Sequence, residues 1–388
     1  MPYYIGRNRE AREAYGFDDV ALVPGSLTID PADTDTSISI GGIDLKIPFL
    51  ASAMDGVVSA DFAVAMNRLG ALAVLNLDGI NSRYEDPKKA IAEIVNCESG
   101  KATEVFQKIY KAPIKPELIA KRVKEIKKNK VPCAVSCIPQ NAAIFGPIAR
   151  DAGADIFFVQ STVISVKYES STQKPLDLQK FIKEMKIPVA LGNCVTYKVA
   201  LELMETGAAA ILVGVGPGAA CTTRGVLGIG VPQVTATVDC AAARDVYFKK
   251  TGRYVPIITD GGMITGGDVC KAIAAGSDAV MIGSPFAKAK EAPGMGYHWG
   301  MATPHANLPR GTRVHVGTTG TIEEILFGPA RTDDGTQNLV GALKTSMGAL
   351  GAHNIREMQM TPIIIAPSIK TEGKLLQKAQ VVGMGKQK

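Results

Sequence analysis

The sequence predicts an α/β fold of the (β/α)8 type, a parallel eight-stranded TIM barrel with a long lid or flap after its eighth strand. Three observations carry that prediction. Eight short apolar runs bounded by glycine, proline or asparagine recur along the chain, each with the length and composition of a strand buried on both faces. Segments able to form helices lie between most of them. Four approaches to an apolar run repeat one signature, Asn67-Arg68-Leu69-Gly70-Ala71, Arg150-Asp151-Ala152-Gly153-Ala154, Met204-Glu205-Thr206-Gly207-Ala208 and Ile273-Ala274-Ala275-Gly276-Ser277. Each places glycine just after a helix and just before a strand, which is a helix C-cap repeated at successive junctions. Parallel strands joined this way need right-handed crossovers, and a closed barrel supplies them. An open doubly wound sheet uses the same alternation and stands as the structural alternative.

In chain order, residues 1–45 are polar and turn-rich and read as a lead-in covering one end of a core. The runs then follow: Ile47 to Met54, Ala71 to Leu77, Pro132 to Ile138, Asp155 to Ser161, Val189 to Asn193, Ala210 to Gly214, Pro256 to Gly262 and Ala279 to Ser284. Two places break the rhythm. The interval from Asn81 to Lys130 holds two or three helical patterns, including a basic run (Lys121, Arg122, Lys124, Lys127, Lys128, Lys130) whose Ile119, Val123 and Ile126 recur at helical spacing. That is an amphipathic helix with a solvated basic face, and without interleaved aromatics it is no nucleic-acid surface. Residues 285–361 carry glycine- and threonine-rich text with little periodicity and read as a lid or binding loop inserted in one domain spanning 1–388.

Composition narrows the function classes. Apolar residues make up 46% of the 388 positions and charged residues 21%, with no stretch approaching the ~20 apolar residues a membrane span needs. The first residues show no secretory pattern, and seven cysteines at irregular spacing fit reduced thiols, so a soluble cytoplasmic protein is expected. Cys133 and Cys137 have no partner pair at metal-ligand spacing, and none of the four histidines forms a His-Glu-x-x-His motif, so neither a zinc site nor metal hydrolysis is supported. Each histidine reads as an ordinary loop residue. The net charge of +6 is compatible with small anionic ligands.

The chemistry concentrates at the ends of strands six, seven and eight. Apolar residues from Ala210 lead into Gly214, Gly216 and Gly218, and the glycine turn ends at Cys221, flanked by Ala220 and Thr222. A thiol at the tip of such a turn is either a nucleophile or a small buried hydrophobe, and the residue pattern alone divides evenly between them. Asp260-Gly261-Gly262 ends the seventh run and Gly283-Ser284 the eighth. Phosphate sites on barrels form after these strands, so the glycine amides suit a phosphate and Asp260 suits ribose hydroxyls. No Gly-x-Gly-x-x-Gly stands in the context of a Rossmann motif.

Seven motifs in order then make a resemblance plain: Ala51-Ser52-Ala53-Met54-Asp55, Gly192-Asn193-Cys194-Val195-Thr196, Gly214 to Arg224, Asp260-Gly261-Gly262, Gly283-Ser284, Glu291-Ala292-Pro293-Gly294 and Gly300-Met301. Over nearly its whole length the chain resembles the inosine monophosphate (IMP) dehydrogenase and guanosine monophosphate (GMP) reductase family, in particular dehydrogenase-like proteins lacking the regulatory CBS pair. The resemblance implies that Cys221 attacks C2 of the purine, hydride leaves to NAD, and water cleaves the adduct to xanthosine monophosphate (XMP). It implies that Ser52 and Met54 flank base and ribose, that Asp260 holds the ribose, and that Gly261, Gly262, Gly283 and Ser284 surround the phosphate. Tyr297, Gly300 and Met301 complete the substrate set. Asn193, Gly214, Gln160 and Ser161 fall on the cofactor side, and Thr223 assists Cys221. By the same resemblance, the carbonyls of Gly216, Gly218 and Cys221, with Glu372 and Gly373 of a neighbouring subunit, would bind a monovalent cation, K+, which implies a homotetramer.

Four departures from the family pattern stand out. Gln160-Ser161 replaces the usual aspartate at the end of strand four, and Ala219 replaces a phosphate-binding serine. Tyr297 lies one residue farther from Gly300-Met301 than the resemblance requires. No Arg-Tyr pair resembling the water-activating base appears on the flap, where Arg310 and Arg313 are the arginine candidates and Val316 falls where Gln or Glu is usual. NAD-dependent IMP oxidation leads, with NADPH-dependent GMP reduction and a catalytically silent nucleotide-binding regulator as alternatives.

Overall fold

Each of the eight apolar runs forms a strand in a computed structural model that describes residues 3–300 and 312–385. They are β1 Phe49–Ala51, β2 Leu72–Asn76, β3 Ala134–Cys137, β4 Ile156–Gln160, β5 Val189–Cys194, β6 Ala210–Val213, β7 Ile257–Asp260 and β8 Ala279–Ile282. Every neighbouring pair is parallel and β8 pairs with β1, so the sheet closes on itself and the open-sheet alternative falls away.

The closure explains why the runs are continuously apolar. Alternate residues point inward, and Leu50, Leu72, Val74, Phe158, Leu212 and Met281 belong to the core that fills the barrel. Their neighbours Phe49, Leu75, Phe157, Ile211 and Val280 point outward into the core beneath the helices. The lead-in covers one end, as expected. A hairpin of Ile38–Ile40 and Ile43–Leu45 buries Ile40, Ile43 and Leu45 in the barrel interior, each contributing about 1.5–3 kcal/mol of transfer free energy.

The glycine signatures are C-caps. Gly70, Gly153, Gly207 and Gly276 all take positive φ, between 85° and 108°. Ala71, Ala154 and Ser277 then donate back to the carbonyls of Met66, Ala149 and Ala272, the six-to-one bond of the Schellman motif.

Between β2 and β3 lie three helices, α2 Pro87–Asn96, α3 Ala102–Tyr110 and α4 Pro116–Lys127, preceded by α1 Ala60–Arg68 after β1; α5 Pro139–Asp151, α6 Leu178–Met185 and α7 Tyr197–Glu205 follow β3, β4 and β5. Helix α4 is amphipathic, but one residue of its basic run is not solvated. Arg122 is buried and donates to the carbonyls of Asn81, Tyr84 and Glu85 and to Glu125. A guanidinium with five donors can be buried when carbonyls surround it.

The expected lid over 285–361 is too broad. Its later part forms α12 Ile322–Phe327 and α13 Leu339–Leu350, and Ile325, Leu326, Leu339, Leu343 and Met347 are buried in the core outside the barrel. Helix α13 packs against α10 Gly266–Ala274 so closely that a Cβ on Gly266 would sit 2.3 Å from that of Ala342. Small residues make that approach possible, and the same residues flatten the hydrophobic contrast that would have revealed the helix. No helix among the described residues is long and apolar enough to cross a membrane.

Candidate active site

The carboxyl ends of the strands surround a cavity of about 780 Å³, within the range of small-molecule sites. Of the expected substrate residues, Ser52, Met54, Asp260, Gly261, Gly262, Gly283, Ser284 and Gly300 line it; so do Cys221, Thr223, Gln160, Ser161, Asn193, Gly214, Gly216 and Gly218. Residues far apart in sequence converge because each ends a strand or begins the loop after it.

Cys221 is exposed in this cavity, whereas five of the other six cysteines are buried. Its thiol donates to the hydroxyl of Thr223 at 3.2 Å. Thr223 opens the short helix α8 Thr223–Leu227 and is itself buried, so the hydroxyl beside the sulfur is held in place. The turn before it depends on Gly214, at φ 150°, where a Cβ would lie 2.3 Å from the carbonyl oxygen of Asp260. Gln233, at the start of α9 Gln233–Thr251, donates to the carbonyl of Val213 and ties β6 to this corner. Arg224 closes the loop by donating to the carbonyls of Val215 and Val231.

Opposite the cysteine loop, the inward residues ending the strands form a polar ring above the apolar barrel interior. Asp260 Oδ2 accepts from Gln160 Nε2 at 2.9 Å and from Asn193 Nδ2 at 2.8 Å, and Gln160 meets Ser136 at 3.3 Å. Burial pushes the Asp260 carboxyl up to about 6, against the pull of these two amide donors. The side-chain amides of Gln160 and Asn193, expected to face a cofactor, are therefore turned onto Asp260. A buried carboxylate at the top of a barrel needs donors, and two carboxamides supply them without adding charge. An aspartate at position 160 would instead set two carboxylates against each other.

Ser284 begins α11 Ser284–Ala287 just after Gly283, and its hydroxyl lies 3.0 Å from His298 Nε2. Sequence reading treated His298 as an ordinary loop residue; it lines the cavity, 1% exposed, and burial lowers its pKa to about 4, leaving the ring neutral. Its Nδ1 is buried with no hydrogen-bond partner among the described residues. Its one local signal is its place two residues before Gly300.

Several expected residues lie elsewhere. Tyr297 does not line the cavity; its ring stacks on His315 at 4.4 Å and lies beneath Arg313 at 4.7 Å. Arg313, proposed for the flap, donates to the carbonyls of Ile94, Val95 and Cys97 at the carboxyl end of α2. Four unsatisfied carbonyls end every helix and a guanidinium there is favoured by charge as well as hydrogen bonding, which accounts for its capture. Met301 and Arg310 lie outside the described residues. Glu372 and Gly373 are exposed near the carboxyl terminus and do not line the cavity. Ile138, Gln140, Thr162, Met263 and Ile264 line it without having been anticipated, because nothing in their local sequence distinguishes wall from loop.

The barrel fold is shared with known proteins. The family described as IMP dehydrogenase / GMP reductase domain matches residues 14–373. A protein of Mycolicibacterium smegmatis described as an uncharacterised oxidoreductase is 39% identical, covering 93% of this chain and 99% of that one. The inosine-5'-monophosphate dehydrogenase of Borreliella burgdorferi is 30% identical over 91% of this chain and 94% of its own. The crystal structure of an IMP dehydrogenase/GMP reductase-like protein from Corynebacterium glutamicum superposes with a TM-score of 0.89 at 35% identity, covering 94% of this chain and 98% of that one.

Proposed function

We propose, since this chain belongs to the IMP dehydrogenase/GMP reductase family, that it is an oxidoreductase working at C2 of a purine nucleoside 5'-monophosphate through a covalent bond to Cys221. One observation carries the reading: the exposed thiol donates to a fixed Thr223 hydroxyl inside a cavity that also presents Asp260 and the Gly283-Ser284 helix start. Asp260 accepts from the ribose hydroxyls, and the amides around Gly261, Gly262 and Gly283, with Ser284 and His298, receive the phosphate. Ser52 and Met54 bound the base.

Of the two directions this family runs, the site favours reductive deamination of GMP. Cys221 Sγ bonds to C2 while its proton passes through the Thr223 hydroxyl to the exocyclic amine. The C2–N bond then breaks and ammonia leaves, with the purine held on sulfur. A nicotinamide cofactor, when bound, would supply hydride to C2; breaking of the C–S bond would then release IMP, and a solvent proton would restore the Cys221 thiol. Ile138, Gln140, Ser161 and Thr162 line the same cavity and supply the apolar, amide and hydroxyl groups a nicotinamide would meet. Oxidation of IMP shares the same adduct but must end in hydrolysis, which needs a base for water. Among the described residues, Asp260 is held by the polar ring and His298 by Ser284, while Arg313 lies outside the cavity, engaged at the end of α2.

NAD-dependent oxidation of IMP to XMP is the second reading, favoured by the named dehydrogenase relative. In either direction, the carbonyls of Gly216, Gly218 and Cys221, with Glu372 and Gly373 of a second chain in a homotetramer, would hold a monovalent cation such as K+. The two are separated by absorbance with K+ present, GMP plus NADPH in one cuvette and IMP plus NAD in another. NADPH consumption in the first alone supports reduction, NADH formation in the second alone reverses the direction, and silence in both favours a nucleotide-binding regulator.

His298→Phe, which keeps the buried ring and removes both nitrogens, is expected to raise the nucleotide KM roughly tenfold by deleting one contact to the phosphate cradle. Initial rates against nucleotide concentration check this; an unchanged KM removes His298 from the phosphate site.

A further inference from the structure

The helices between β2 and β3 reach the cavity rim through one phenol. Tyr110, the last residue of α3, donates its hydroxyl to Asp55 Oδ2 at 2.6 Å and accepts from Trp299 Nε1 at 2.7 Å. All three side chains are buried, and Asn81 supports the carboxylate with a 3.3 Å bond to Oδ1. Asp55 directly follows Met54 and lies three residues after Ser52; Trp299 stands between His298 and Gly300. Those four flanking residues line the cavity. A single oxygen on the inserted helices thus joins the loop after β1 to the segment after β8.

The surroundings make this junction rigid. Trp299 packs on Phe106 of α3 at 5.4 Å between ring centres, in a small apolar cluster with Ile91, Ile94 and Ile109 that is separate from the main core. Arg313 fastens the continuation of the same segment to the end of α2. Burial raises the phenol pKa well above its ordinary value, so Tyr110 keeps its proton and remains the donor to Asp55.

We propose that Tyr110 is a positioning residue for the nucleotide site, fixing the Ser52–Met54 loop and the His298–Gly300 segment at the separation a bound purine nucleotide requires. This rests on the reading of the cavity as a nucleotide site. The role belongs to the hydroxyl rather than to the ring, because the ring is accommodated by the apolar cluster whatever its para substituent. Removing the oxygen leaves Asp55 and Trp299 each short of a buried partner, and both loops carry that loss directly to the cavity.

The test is equilibrium binding of GMP and of IMP to the full-length protein by calorimetry, with thermal melting in parallel. Tyr110→Phe is expected to weaken nucleotide binding about tenfold, Trp299→Phe to do the same, and the double variant to add little more, since both break one junction. Phe106→Leu loosens the same apolar cluster without touching the hydrogen bonds, and is expected to lower the melting temperature with affinity unchanged. Wild-type affinity retained in Tyr110→Phe, or an equal loss in Phe106→Leu, overturns the positioning role while leaving the nucleotide site standing. Failure of the wild-type protein to bind either nucleotide overturns both.

Discussion

Replacing Cys221 by alanine is expected to reduce turnover by on the order of 10⁴-fold or more, because no other group can form the bond to C2. The remaining cysteines cannot substitute: Cys133, Cys137, Cys194, Cys240 and Cys270 are buried and Cys97 lies at the end of α2. Burial drives Cys133 up to about 12 and Cys270 to about 11, which keeps those thiols protonated and unreactive at neutral pH. Nucleotide affinity should change by no more than a few fold, since ribose and phosphate contacts sit on β7, β8 and the segment after them. Steady-state rates with calorimetric binding check the pair of outcomes. Weak binding together with lost turnover would mean that Cys221 shapes the pocket rather than reacting in it.

The second large effect concerns Asp260. Its truncation to alanine is expected to weaken nucleotide binding by about 3 kcal/mol, roughly 100-fold, through loss of charged acceptors for the ribose. Stability should fall too, since Gln160 and Asn193 lose a common acceptor. The pH dependence has a definite sign. The carboxyl titrates near 6 because burial opposes its charge, and only the ionised form accepts both ribose hydroxyls well. Affinity should therefore be full above roughly pH 7 and decline as pH falls through 6. Asp260→Asn should bind more weakly at pH 7.5 and show only the shallower decline contributed by the nucleotide phosphate, whose second pKa is about 6. A wild-type affinity flat from pH 5 to 8 would contradict the ribose assignment.

The barrel was legible because its signals are local and repeated. Four glycines at helix ends and eight runs without polar interruption leave few architectures, and the strands begin and end within a few residues of where the text changes. The cysteine turn was legible for the same reason, since Gly214, which lies against β7, opens a short stretch with glycine at every second position. What escaped depends on distant partners. Arg313 looks like a flap arginine until the carboxyl end of α2 is placed beside it. Gln160 looks like a lost cofactor contact until Asp260, 100 positions later, is seen to need its amide. Arg122 belongs to a basic stripe in sequence and to a nest of carbonyls in space. His298 offered only its neighbourhood to Gly300, and helix α13 hid behind small residues, one of which, Ala342, faces the close approach of Gly266 on α10.

Both directions of the proposed chemistry pass through a purine bonded to one sulfur, and that bond can be measured. The full-length protein would be incubated with GMP alone and, separately, with IMP plus NAD, then denatured, digested and analysed by peptide mass. The expected result is a peptide containing Cys221 that carries the mass of a purine nucleotide from at least one incubation and is absent from Cys221→Ala. Turnover with Cys221 unmodified in both incubations, or nucleotide found on another residue, would contradict covalent catalysis at this site.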